Sequence, residues 1–404
     1  MSNPRRKKDD PTQQLTALAA FIGKLPSPQR EIAIGVGLAG LILVAIVLVI
    51  SAGKRNDPAQ PPGADAGAVT RSPDGKAGST DLTPLPGGGR EVVFVFWNVE
   101  NLFDDRIDDR NDTDHPYDKL FAESPQALAK KLTNIASEML KVNHGKGPDI
   151  LALCEVETLR AAELLRQELN RRLPSGVTPY SEPVMKELTF GPGQVGRNIA
   201  PAVLTRLPVV RDRTKLLGSR QRILRAVIEL DGHELVLIPS HWTSRVSDKT
   251  GNGRANYAKT IYGEFKAMYL ANPQVACLIC GDFNDNPDDP SVVEHLKALD
   301  DPKAVLASNA PHLLNLMAKL DRNQHGTLWY SGRFDLFDQI VVSPAMINGN
   351  GWRADLGSAG RITTPSRPNS KVGPRPWRFE ENKKTGQFDG YSDHYPVTVK
   401  LIVP

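Results

Sequence analysis

The chain has 404 residues, 40% hydrophobic and 24% charged, a balance that excludes wholesale disorder, a collagen repeat and a many-span membrane protein. Its net charge of +4 is uneven: residues 1–89 carry ten bases against seven acids, leaving 40 against 39 in the remainder. A nearly neutral body gives no support for non-specific nucleic-acid binding, so any basic surface must be local. The three cysteines, Cys154, Cys277 and Cys280, lie in apolar strand-like runs, which excludes a disulfide framework and reads as buried thiols.

Residues 1–31 form a polar, basic tail, and Ile32 to Ala52 contains no charged residue. A helix of about 20 apolar residues matches the roughly 30 Å hydrocarbon layer, so this run is expected to be a single transmembrane signal anchor. Arg5, Arg6, Lys7, Lys8, Lys24 and Arg30 precede it, against Lys54 and Arg55 just beyond it. The positive-inside rule then places the N-terminus in the cytoplasm and the rest of the chain outside it. Residues 53–89, rich in Gly, Pro and Ala, read as a disordered linker, and residues 90–404 as one globular domain.

Within that domain EVVFVFWN (91–98) and DILALCEVE (149–157) are continuous apolar strand signals. Between them Ser124-Pro125 opens a helix whose Leu128, Leu132, Ile135 and Met139 share a face, with Gly145 closing it. A helix is predicted over 158–173, strands over 200–205, 222–230 and 234–240, a helix over 254–271, and strands over 274–280, 338–343 and 395–403. The turn Asp231-Gly232-His233 makes a hairpin of its flanking strands. Mixed sheets covered by helices follow.

These strands repeatedly end or begin in carboxylates, carboxamides and imidazoles. Asn98 ends the first and Glu155 the second, His241 follows ELVLIPS, and Asp282 and Asn284 follow QVACLIC. Asp338 opens FDQIVVS, and Asp393 and His394 precede the last strand. Alone, each is more readily a turn residue; together they describe a site. Oxygen ligands from Asn98, Glu155 and Asp393, without a cysteine or histidine cluster, suit Mg²⁺ or Mn²⁺, and that points to phosphate chemistry.

WNVENLF, DILALCEVE, SHWTSR, GDFNDNP, FDQIVVS and SDHYPV, in this order over residues 91–402, resemble the endonuclease/exonuclease/phosphatase (DNase I-like) superfamily. The resemblance implies a four-layer α/β sandwich, two facing mixed β-sheets flanked by helices, with the active site at one edge between the sheets. It implies that Asn98 and Glu155 serve the metal, with Glu100 as a second acid and Asp393 supporting metal or phosphate. It further implies that Asp282 positions or activates water, Asn284 orients phosphate, His241 donates to a non-bridging oxygen, and Asp338 holds His394. Arg245 of SHWTSR is a candidate substrate-binding residue. A monomeric, Mg²⁺-dependent phosphoesterase acting on DNA or RNA is expected. A phosphatase, a lipid phosphodiesterase and a catalytically silent module of the same fold remain open.

Other signals carry less. GPGQVG (191–196) satisfies a nucleotide-loop pattern, but RNIAPAVL after it is strand-like, so no nucleotide cofactor is expected. DDRIDDRNDTD (104–114) lacks the glycine and distal Glu of an EF-hand and reads as a solvated loop, with a glycosylation sequon at Asn111. Residues 353–384 carry eight bases against three acids, interleaved with Trp377 and Phe379, and suit a lip that contacts phosphate oxygens.

Overall fold

The computed structural model describes residues 82–404 apart from 86–87, 108–110, 192–193, 195 and 372. The chain divides into two units, Met1–Asp74 and Gly75–Pro404, and every described residue belongs to the second. The expected span Ile32 to Ala52 and the tail before it lie outside the described residues. Among the described residues no helix is long and apolar enough to cross a membrane. Within the expected linker, Thr83–Pro84 pair antiparallel with Arg90 and Glu91.

Eleven elements carry the architecture: β1 (Arg90–Leu102), α1 (Pro125–Met139), β2 (Ile150–Val156), α2 (Leu159–Arg172), β3 (Ala200–Thr205), β4 (Leu224–Leu230), β5 (His233–His241), α3 (Asn252–Ala271), β6 (Ala276–Asp282), β7 (Asp338–Val342) and β8 (Val397–Val403). One sheet runs β8-β1-β2-β3, extended by Arg353–Ala354 beside β8 and Val184–Met185 beside β3. The other runs β7-β6-β5-β4, extended by short strands at both ends. Each has a central parallel pair, β1 with β2 and β5 with β6, and a helix makes each of these crossovers.

The continuous apolar runs have a simple cause: both faces of each sheet are covered. Phe94 and Phe96 of β1 face a core shared with Leu235 and Leu237 of β5 and Leu278 and Cys280 of β6. Their neighbours Val95 and Trp97 face outward onto Leu128, Ile135 and Leu165 of α1 and α2. On the second sheet Val236, Ile238 and Ile279 face outward onto Ile261 and Phe265 of α3. The sheets therefore face each other with helices outside both. The three cysteines are buried and unpaired, as their surroundings suggest.

This topology collects strand ends. The parallel pairs put the C-terminal ends of β1 and β2, and of β5 and β6, at common edges. β7 is antiparallel to β6 with Asp338 opposite Asp282, so the start of β7 joins that edge. β8 is antiparallel to β1 with Val397 opposite Phe96, which brings residues 392–394 beside Asn98. Gly281 is required where β5 and β6 converge: a Cβ there would meet the Ser240 carbonyl oxygen at 2.3 Å.

The 104–114 loop departs from expectation. Asp104, Asn111 and Asp114 are buried because they make structural bonds. Asp104 accepts from Thr158 Oγ1, Asp114 pairs with Arg197, and Asn111 donates to the Gly196 carbonyl. A sequon asparagine buried in this way presents no glycan acceptor on the folded surface.

Candidate active site

The strand ends at the site are bent. The β1–β2 register slips between Asn98 and Leu102, and the β2–β3 register between Leu153 and Val156. Glu100, Asn101 and Glu155 sit at φ 48°, 59° and 61°, as does Asn284 at 51°. Left-handed backbone at non-glycine residues costs roughly 1–3 kcal/mol each and persists where its surroundings hold it. Here Glu155 Oε2 accepts from the Asn101 N–H at 3.0 Å, and Asn98 Oδ1 from the Glu100 N–H at 3.0 Å.

Asn98 joins the two sheets. Its Nδ2 donates to Asp282 Oδ2 at 3.0 Å and reaches Glu155 Oε1 at 3.3 Å. His241 Nε2 lies 3.7 Å from each of those carboxylate oxygens. On the other side His394 Nε2 lies 3.7 Å from Asp282 Oδ2, while its Nδ1 is 2.7 Å from Asp338 Oδ2. Asp282 Oδ1 accepts from the Asn284 N–H at 2.9 Å, and Asn284 Nδ2 donates to the Trp242 carbonyl. The sequence-predicted residues Asn98, Glu155, His241, Asp282, Asn284, Asp338 and His394 are thus brought together.

The imidazoles differ in environment. Burial holds His241 well below the usual histidine range, with Arg222 and His394 acting in the same direction. Burial also opposes charge on His394, but the carboxylates of Asp338 and Asp282 outweigh it and raise that group well above the usual range. Asp282 is pushed up to about 7 by its own burial, with Asp338 adding to the rise. The two imidazoles that flank the same carboxylate are thus pushed in opposite directions, His241 toward its neutral form and His394 toward its protonated form.

Arg378 bridges Glu100 to Asp393, whose Oδ1 lies 3.9 Å from His394 Nε2 and so borders the cluster. The Arg378 Nε meets Glu100 Oε1, and its Nη2 donates to Asp393 Oδ2 at 2.8 Å. The second oxygen of Glu100 accepts from the Phe379 N–H at 3.3 Å, so this carboxylate is not shared with the Asn98 and Glu155 group. Beneath it Lys131 is fully buried, donating to the carbonyls of Glu100 at 3.1 Å and Tyr391 at 2.5 Å. Burial lowers Lys131 to about 8. Lys131 thereby ties the bent end of β1 to the Ser392-Asp393-His394 loop, which is further fixed by Ser392 Oγ donating to the Asn98 carbonyl at 2.6 Å.

A cleft of about 610 Å³ opens above the cluster. Arg245 lines it but is fastened, donating to the Asn284 carbonyl at 2.9 Å and to Asp289 at 2.5 Å. Three bases of the 353–384 segment, Arg367, Arg375 and Arg378, also line it. Phe379 does not: it is buried among Phe121 and Phe388, so its apolar ring serves the core and not a ligand. Sequence reasoning missed Trp329, Tyr330 and Arg333 on the rim, although the Ser331-Gly332 turn between LWY and RFD is a hairpin signal.

A family model described as endonuclease/exonuclease/phosphatase matches residues 93–402. The chain belongs to that family. Solved structures with a similar fold include Danio rerio TDP2 complexed with a single-strand DNA product, at 15% identity, 77% of this chain and 98% of that chain, TM-score 0.46. They also include the mannosyl-6-phosphatase Bt3783 of Bacteroides thetaiotaomicron, at 15% identity, 77% and 99% coverage, TM-score 0.44. A third is the human nocturnin catalytic domain, at 14% identity, 80% and 97% coverage, TM-score 0.45. None of these likenesses bears on the substrate of this chain. No curated protein sequence matches it significantly.

Proposed function

We propose that this family member is a divalent-metal-dependent phosphoesterase and, within that class, a nuclease. The observation that carries the reading is the convergence of Glu155, His241, Asp282 and His394 on one cleft, with Asn98 and Asp338 buried behind them and bonded to them. Among the described residues no three His, Cys, Asp or Glu side chains form a ready-made metal cage. That is compatible with Mg²⁺, which is commonly held by one or two carboxylates together with waters and substrate phosphate. The donor set fits: Glu155 Oε1 is met only by an amide at 3.3 Å and His241 at 3.7 Å, and the nearby Asp282 adds negative charge. Glu155 would hold the ion, with Asp393 within the same cleft; Asn98 turns its Nδ2 to the Glu155 and Asp282 carboxylates and gives its Oδ1 to the Glu100 N–H, so it would position those carboxylates, and would ligate only with its amide reversed. Such an ion would neutralise phosphoryl oxygens.

The chain's own residues account for the remaining chemistry. Asp282 accepts the proton of the attacking water, held in place by the Asn284 N–H and Asn98. His241, neutral, donates from Nε2 to a non-bridging oxygen, and Asn284 orients the phosphate. His394, kept protonated by Asp338, stabilises charge that develops on phosphate. The arginines of the cleft favour a polyanion, and the aromatic rim favours nucleic acid over a phosphomonoester. Placement of the domain beyond a membrane rests on Ile32 to Ala52 and the bases before it.

The test is an assay of the chain with Mg²⁺ against plasmid DNA, RNA, sphingomyelin and phosphoinositides. Hydrolysis of DNA or RNA is expected. Turnover confined to one of the lipids would reassign the substrate, and no turnover of any would argue for a silent module.

A further inference from the structure

The rim of the cleft carries an unexplained feature. Among the described residues eight large apolar side chains are exposed, and two of them, Val246 at 75% and Tyr330 at 61%, line this cleft. Tyr330 sits on a hairpin, Leu328–Tyr330 paired with Arg333–Asp335, closed by Ser331 at φ 48° and Gly332 at φ 84°. Positive φ at both turn residues is the geometry of a tight two-residue hairpin. Alternation puts Leu328, Tyr330, Arg333 and Asp335 on one face, and Trp329 with Phe334 on the other.

The hairpin is braced by its Trp329 and Phe334 side chains, of which Trp329 also borders the cleft, and is tied to the catalytic groups. Trp329 packs edge-on against Phe334 with centroids 4.8 Å apart, and Arg361 lies over the Phe334 ring. Leu328 bridges to His394, and the Tyr395 N–H donates to the Thr327 carbonyl at 2.8 Å. Asp338 itself donates its N–H to Thr327 Oγ1 at 3.1 Å. The tyrosine is therefore held at a fixed offset from His394, with the 69% exposed Arg333 side chain as its cross-strand partner. An exposed aromatic ring on a braced hairpin, cross-strand from an arginine whose Nε lies 3.6 Å from Asp335 Oδ2, offers an arginine-lined cleft both a π face and a cation.

We infer that Tyr330 and Arg333 form a base-stacking subsite, so that the substrate is nucleic acid with an unpaired base beside the phosphate that is cut. A single strand presents its base faces to such a ring, whereas a duplex keeps them stacked on one another. The inference rests on the nuclease reading, yet binding can test it apart from catalysis.

The experiment measures fluorescence anisotropy of labelled oligodeoxythymidine, the same length of abasic strand, and a dT·dA duplex, on the full chain in EDTA. The chain should bind oligodeoxythymidine about 5- to 150-fold more tightly than the abasic strand, the worth of one stacked base. Tyr330→Ala should erase that difference, and Tyr330→Phe should restore most of it. Equal binding of the thymidine and abasic strands, tighter binding of the duplex, or no effect of Tyr330→Ala would each overturn the inference. Tyr330-dependent binding to phosphatidylglycerol vesicles without oligonucleotide binding would assign the rim to lipid and overturn it too. Cleavage of the same strands with Mg²⁺ is read separately: base-dependent binding without cleavage would sustain the subsite and sink the nuclease reading.

Discussion

His394→Ala should lower kcat by about 10²- to 10⁴-fold, the usual contribution of a positioned acid or base. Asp338→Asn should lose much of the same factor, because Asp338 reaches the cleft only through the 2.7 Å contact with His394 Nδ1. The double variant should be no slower than the slower single one, since residues acting as a unit are not additive. Stability supplies an independent sign. Asp338 is fully buried and its Oδ1 already lacks a partner among the described residues, so His394→Ala strands its carboxylate, at a cost of about 3–5 kcal/mol. Adding Asp338→Asn to His394→Ala removes that charge and should recover part of the loss in a denaturation midpoint. Rate losses that multiply, with no recovery of stability, would mean that the pair does not act as one device.

Asp282→Asn should be as damaging to rate while leaving the fold intact. Asp282 Oδ2 lies 3.7 Å from both imidazoles and accepts from Asn98, so three polar side chains of the cluster meet at it. Asn has the same shape but cannot take a proton from water, so kcat is expected to fall by about 10²- to 10⁴-fold. A far-UV spectrum and thermal midpoint close to those of the unaltered chain, alongside that loss, would assign the effect to chemistry. Retention of more than about a tenth of the rate would exclude Asp282 as the proton acceptor, since even modest acid–base contributions exceed that factor.

The residues in these predictions were legible in the sequence because each borders an apolar run: Asp282 where one stops, Asp338 and His394 where one begins. A run such as QVACLIC identifies itself by composition, and the carboxylate after it must lie at a sheet edge. The topology then does what sequence pattern cannot, opposing Asp338 to Asp282 and setting Val397 against Phe96. The left-handed turns at Glu100, Asn101 and Glu155 were not legible, because no glycine marks them. Their consequence is that Glu100 leaves the cluster for Arg378, a partner from a distant loop. Lys131 was missed for a related reason. On a helix whose apolar stripe is Leu128, Leu132, Ile135 and Met139 a lysine reads as solvated, and its burial depends on distant partners, the carbonyls of Glu100 and Tyr391 and the Phe379 ring. The 353–384 segment was half legible: its charge pattern marked a lip, but alternation between rim and core decided that Arg378 lines the cleft while Phe379 packs inside.

The most direct test of the central claim is a titration of Mg²⁺ into metal-stripped protein while phosphodiester hydrolysis is followed, with Glu155→Ala in parallel. The account predicts no turnover in EDTA, recovery that saturates with Mg²⁺, and, for Glu155→Ala, a recovery that requires much more of the ion because its principal carboxylate is gone. Undiminished hydrolysis in the stripped protein, or identical Mg²⁺ dependence of the two proteins, would contradict it.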